Sequence, residues 1–216
     1  MNATKLKLTL TFDNGPDTAV TPQVLGTLAE RDLTAIFFPV GERLEAPEHR
    51  ELMHRAATEG HLIGGHTYSH PRPFGALTSE QAIWEIERTD ELLGALCEPD
   101  RMFRPSAGGG VQQPGVLSQA IVDHLVKTQH TLVMWNSICE DWKRGDGSWV
   151  DIALDDIQGR DHALLVLHDI ASGAMDHLPR FLDQAIASSI EITPDLPSDE
   201  VPIKKGEIVG SVAHLI

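Results

Sequence analysis

The chain is short of cysteine, of basic charge and of long apolar runs, and each shortage removes a class of function. Cys97 and Cys139 are the two cysteines among 216 residues. Two thiols cannot build a disulfide framework, and their spacing matches no zinc or redox motif, so both read as reduced thiols in or near a core. No apolar stretch approaches the roughly 18 to 20 residues that a bilayer crossing needs, so no membrane partner is expected. Seventeen Lys and Arg stand against 32 Asp and Glu, a formal net charge of −15. Without a basic stripe there is nothing to neutralise a nucleic-acid backbone, and the acidic excess reads as solvated surface. Repeats, linkers and low-complexity segments are missing too, and this length suits one core better than two, so residues 1–216 are expected to form a single domain. The first residues show no charged segment followed by an apolar stretch and a cleavage site, and the expected location is the cytoplasm.

What is present is alternation. Residues 6–12, LKLTLTF, predict a first strand, and 21–32 a helix with Pro22 suited to its first turn. Further strands are predicted over 33–40, 61–65, 101–105, 131–137, 163–169 and 190–193. Helices are predicted over 47–60, stopped by Gly60, and over 78–97, where Thr78 and Gln81 stand in capping-box register. Three more are expected over 114–127, 148–158 and 175–189, with a glycine-rich turn at 108–110. Seven strands alternating with six helices imply a parallel sheet with helices packed outside it, either closed into a barrel or open and doubly wound. The proline- and charge-rich stretch 194–210 reads as a surface excursion that can carry a small edge strand.

The chemically capable residues fall immediately after strand ends. Asp13 and Asn14 follow the first strand and His66 and His70 the third, Arg104 comes at the fourth, Asp141 and Trp142 after the fifth, and His168 and Asp169 end the sixth. In a parallel barrel all of these ends open on one face, where active sites are built. Two imidazoles four residues apart can meet one cation from a helical turn or a tight loop, but such a pair also arises as ordinary hydrogen-bonded histidines. Asp13-Asn14-Gly15-Pro16 reads either as a plain turn or as a carboxylate facing those histidines. His168, at the tip of an apolar strand, is open to pKa tuning or is a histidine satisfied by backbone. Arg104 and Asp141 could be an ion pair closing the rim.

Taken in order, these segments resemble the polysaccharide deacetylase family, also called the NodB homology domain or carbohydrate esterase family four. The five motifs appear as Thr11-Phe12-Asp13-Asn14-Gly15-Pro16, His66-Thr67-Tyr68-Ser69-His70, Arg104-Pro105-Ser106-Ala107-Gly108, Asp141-Trp142 and Val166-Leu167-His168. The resemblance covers nearly the whole chain and implies an α/β fold, a distorted (β/α)7 barrel, that removes acetyl groups from an N-acetylglucosamine-containing or related acetylated carbohydrate. It implies that Asp13 is the general base, held by Arg104, and that His168 protonates the leaving amine with Asp141 tuning it. Asn14, His66 and His70 would hold a divalent metal, zinc first, with cobalt, nickel or manganese as alternatives. The Ala107 N–H would steady the oxyanion, Trp142 would contact the sugar and Leu167 would line the acetyl pocket.

Three positions depart from the family pattern. Asn14 replaces a ligating aspartate, so an amide oxygen is offered without its charge. Ala107 stands where an aromatic usually walls the sugar groove, which leaves Phe74, Trp142 or Trp149 as candidate sugar contacts. Ile138 replaces the first aspartate of the fourth motif. These departures motivate two other readings: a metal-independent hydrolase of a small amide or ureide, and a non-catalytic sugar-binding descendant. Oligomeric state is not legible.

Overall fold

The computed structural model describes residues 5–107 and 114–216. The glycine-rich turn expected at 108–110, with the Gly108 that ends the third motif, lies outside them. In chain order the elements are β1 (Lys7–Asp13), α1 (Val20–Ala29), β2 (Ile36–Phe38), α2 (Pro47–Thr58), β3 (Leu62–Ile63), α3 (Ser79–Leu93), β4 (Met102–Phe103) and α4 (Gln119–Lys127). Then come β5 (Thr131–Leu132), β6 (Ser137–Ile138), α5 (Trp149–Gln158), β7 (His162–His168), α6 (Leu178–Ala187), β8 (Glu191–Ile192), β9 (Ile203–Lys204) and β10 (Glu207–Ile208). No described helix is long and apolar enough to cross a membrane.

Strand β1 organises the fold. It pairs in parallel with β7 along its whole length, and its other edge takes β8 at Lys7–Leu8 and β2 at Thr11–Asp13. From β2 the pairing passes to β3, a bridge from Gly65 to Phe103 reaches β4, and β4 pairs with β5. The same chain segment runs on into β6, which pairs with β7. The pairings therefore close an irregular ring, a distorted β/α barrel. The expected single strand over 131–137 is two short pieces because each end serves a different neighbour. Between them the Val133 and Met134 carbonyls turn to Arg104, at 3.4 and 3.0 Å.

Two cores follow from strand parity, since successive side chains point to opposite faces. Leu8, Leu10 and Phe12 of β1 and Leu165 and Leu167 of β7 pack outward against the helices. Ile36, Phe38, Phe103, Leu164 and Val166 fill the barrel interior. The inward positions of β1 are Thr9, Thr11 and Asp13, all buried. A polar ladder inside a barrel needs partners, and Thr11 finds one by donating to the Leu165 carbonyl at 2.9 Å.

Most expected elements are present, the Thr78–Gln81 capping box included. Gly60, at φ 93°, ends the α2 segment. Two expectations need correction. The helix expected from residue 114 starts at Gln119, with the Ser118 hydroxyl accepting from the Ile121 N–H; the preceding turn instead buries Val116 and Leu117. The 194–210 stretch is more than a surface excursion, because β9 pairs antiparallel with β5 and β10 and buries Ile203 completely. Its proline and charge content masks the short buried run Val201-Pro202-Ile203. Cys97 and Cys139 are unpaired and buried; burial pushes both thiols up, Cys97 to about 11.

Candidate active site

At the end of β1 the chain turns sharply over β7. Asp13 and His168 are direct ladder partners, so the candidate base and acid stand side by side on adjacent strands. Asn14 takes a left-handed conformation, φ 70°, which asparagine tolerates better than most residues. A Cβ on Gly15 would lie 2.1 Å from an Asp169 carboxylate oxygen, so only glycine admits the approach. The Asp169 carboxyl beneath it receives a 2.5 Å hydrogen bond from the Thr21 hydroxyl, and burial pushes it up to about 7.

Arg104 is fully buried and, besides holding the Val133 and Met134 carbonyls, grips the first strand. Its Nη1 reaches Asp13 Oδ1 at 2.8 Å and Thr11 Oγ1 at 2.7 Å, and its charge lies 4.2 Å from the Phe38 ring centroid. Burial alone would raise the Asp13 pKa. The Arg104 guanidinium, then His66 and His168, outweigh that effect and hold it below the usual carboxylate value. Asp13 is therefore an anion whose Oδ1 is fixed and whose Oδ2 faces His66 Nε2 at 3.7 Å.

The His66–His70 segment is a tight loop, with Thr67 at φ 63° and His70 at φ 55°. Buried Glu85 of α3 holds it there, accepting from the Tyr68 and Ser69 N–H groups at 2.8 and 2.7 Å and from the Ser69 hydroxyl at 2.6 Å. His66 donates from Nδ1 to the Arg104 carbonyl at 2.9 Å, which leaves Nε2 with its lone pair. The two rings lie 4.9 Å apart, and His70 Nδ1 accepts from Arg72 Nε at 3.3 Å. Burial lowers both imidazoles, His70 to about 3, where neighbouring His66 and Arg72 add to the effect. Neutral rings are the form that binds metal.

His168 belongs to a second buried pair. Its Nδ1–H donates to Asp141 Oδ1 at 2.8 Å, and its backbone N–H donates to Oδ2 at 2.9 Å. Burial would lower the His168 pKa, but the Asp141 carboxylate more than offsets it and the net direction is up. Trp142 meets the ring edge-on at 4.7 Å. Asp13, Asn14, His66, His70, Trp142 and His168 together line a pocket of about 370 Å³, and Ala107 lies on its wall.

A divalent ion fits the donor types present once His70 gives up its contact with Arg72, because a neutral ring that accepts at Nδ1 carries its proton on Nε2 and has no second lone pair. Asn14 Oδ1 is a buried acceptor without a hydrogen-bond partner among the described residues, beside the two neutral imidazoles. No three His, Cys, Asp or Glu side chains are grouped to hold a metal among the described residues, so the amide oxygen would have to be the third donor.

Parity corrects one expected contact. Leu167 points into the outer core and is fully buried; Val166, one residue earlier, lines the pocket. Phe74 and Trp149 are also fully buried, Phe74 against Phe103 and Trp149 donating to the Ala174 carbonyl, so neither can meet a sugar. The aromatic that does line the pocket beside Trp142 is Trp135. Its place where β5 breaks from β6 was not legible from a run that reads as one strand. Glu85 gave no signal beyond being an acid on a helix, and Arg72 lies two residues past the second motif.

Fold and site together define a β/α-barrel protein with a buried aspartate, Asp13, and a buried histidine, His168, at the carboxyl ends of adjacent strands. The profile of the polysaccharide deacetylase family matches residues 1–122, and the chain belongs to that family. It is similar to a chitooligosaccharide deacetylase of Rhizobium leguminosarum bv. trifolii, 35% identical over 161 residues, 74% of this chain and 70% of that one. It is 28% identical over 185 residues to a peptidoglycan-N-acetylglucosamine deacetylase of Bacillus cereus, covering 84% of this chain and 62%, under two-thirds, of that protein. Among solved structures, a T48 deacetylase with substrate matches with a TM-score of 0.71 at 27% identity, over 88% of each chain.

Proposed function

We propose that this chain is a carbohydrate deacetylase that hydrolyses the N-acetyl group of an amino sugar, aided by a divalent metal of the zinc type. The observation that carries the reading is the pairing of Asp13 with His168 across β1 and β7, each fixed by its own buried partner, Arg104 or Asp141. The names of the relatives support the substrate class.

Arg104 keeps Asp13 Oδ1 occupied, so Oδ2 takes the proton of the attacking water as its oxygen bonds to the acetyl carbon. His168, kept protonated by Asp141, gives a proton to the amide nitrogen as the C–N bond breaks, which releases acetate and a free amine. The proton taken by Asp13 returns the site to its starting state through solvent. Asn14, His66 and His70 would hold the metal, whose contribution is Lewis-acid polarisation of the acetyl carbonyl. The Ala107 N–H is assigned to the developing oxyanion, and Val166 and Trp142 to the acetyl methyl and the sugar.

Acetate release from chito-oligosaccharides tests the reading. Release should stop after exhaustive chelation and return with added zinc. Undiminished release after chelation would favour instead a metal-independent amidase on this scaffold, a reading that the uncharged Asn14 and the Arg72 contact on His70 support.

A further inference from the structure

Arg72 is distinctive among the arginines of this chain. Every other one gives a donor to a carboxylate or a backbone carbonyl. Among the described residues Arg72 has only the 3.3 Å contact from Nε to His70 Nδ1, which leaves its two terminal nitrogens without a protein acceptor. Residues 1–4 and 108–113 contain no Asp or Glu, so no carboxylate outside the described residues can pair with it. Its side chain is exposed and lines the pocket.

The pocket also reverses the sign of the molecule. On a chain of net charge −15, its wall carries Arg72 and Lys143, a His168 whose charge is balanced by buried Asp141, and one carboxylate, Asp13, which buried Arg104 already neutralises. Lys143 is paired with Glu140 at 2.7 Å, so Arg72 is the cation left to act. A neighbouring depression shares Asn14, His70 and Ile170 and adds Glu42 and Arg43, whose charges cancel. A cleft of one sign in a field of the other raises the local concentration of the opposite charge. A guanidinium with two open donors suits a planar or tetrahedral oxyanion that it can grip with parallel hydrogen bonds.

We infer that Arg72 is a specificity-determining residue and that the preferred substrate is an acidic acetylated amino sugar, bearing a carboxylate or phosphate beside the acetamido group. This rests on the deacetylase reading above. Arg72 follows His70 by two residues and shares one pocket wall with Asp13 and His168, so the anion would sit within about one sugar ring of the scissile bond.

The test compares kcat/KM for N-acetylmuramic acid, N-acetylglucosamine 6-phosphate and neutral N-acetylglucosamine, in wild type, Arg72→Gln and Arg72→Lys, all zinc-loaded. The wild type should favour at least one anion by about tenfold, a figure in keeping with one exposed charge-assisted contact. Arg72→Gln should bring that ratio towards one and Arg72→Lys should keep most of it. The ratio cancels any change the substitution makes at His70. Preference for one anion and not the other names the source of the charge. Ratios within twofold of one in the wild type, or a preference unmoved in Arg72→Gln, overturn the inference while leaving deacetylation intact. If none of the three sugars is turned over, the deacetylase reading suffers; calorimetric binding of the same three sugars then decides the anion preference by the same ratios.

Discussion

Replacing Asp141 with asparagine isolates the role of the buried acid. Asp141 is fully buried and uses both oxygens on His168, one on the ring N–H and one on the backbone N–H. Asparagine keeps one acceptor, loses the charge, and turns an NH2 towards a donor. A hydrogen bond to a charged group contributes roughly 1.5–3 kcal/mol, and 1.36 kcal/mol corresponds to one pH unit. His168 is raised above its ordinary value by this carboxylate, so its protonated form is populated below the raised pKa and lost above it. In Asp141→Asn the alkaline limb of the kcat/KM profile should fall by about one pH unit or more. The acid limb, set by the lowered Asp13, should stay where it is. NMR titration of the His168 ring in metal-free protein gives the same quantity without turnover. An alkaline limb and a ring titration that both stay in place would refute the assignment of His168 as the acid tuned by Asp141.

Three other substitutions probe the remaining links. Arg104→Met leaves Asp13 as a buried charge without its partner, and urea unfolding at neutral pH should show a loss of roughly 3–5 kcal/mol; a change under 1 kcal/mol, about the value of a surface pair, contradicts the description of this ion pair. Asn14→Asp adds a charged donor beside the imidazoles. Changes one layer further from a metal move affinity by roughly 10- to 100-fold, so competition with a zinc chelator should show at least about a tenfold gain, and an unchanged affinity removes Asn14 from the donor set. Leu167→Ala should cost roughly 2–5 kcal/mol of stability with no change in acyl preference, whereas Val166→Ala should relax the preference for N-acetyl over N-propionyl sugars; the reverse pattern would show that the strand parity has been misread.

The motif residues were legible because they cluster after strand ends, and the alternation that places them there follows from hydrophobic periodicity. Asp13, His66, His70 and His168 meet in one pocket for that reason. Where reading failed, a local rule was outweighed. Leu167 was assigned to the pocket by its place in a motif, but a residue next to an inward-facing histidine on a strand must face outward. One apolar run over 131–137 hid two short strands because its break is stabilised by Arg104, a residue about thirty positions earlier. The β9–β10 hairpin was obscured by composition, since prolines and charges at a sheet edge look like loop. Glu85 illustrates the limit: nothing in a helical sequence shows that one of its acids bonds the loop between two histidines.

On the proposed reading, Asp13 and His168 act as one base–acid couple on an N-acetylated sugar. Single-turnover acetate release by zinc-loaded wild type and Asp13→Asn, with zinc content measured in both, addresses it directly. The geometry predicts a loss of roughly 10²–10⁴ in rate at equal zinc content, because the amide cannot accept the water proton. Asp13→Asn releasing acetate at close to the wild-type rate, with zinc bound, would contradict it.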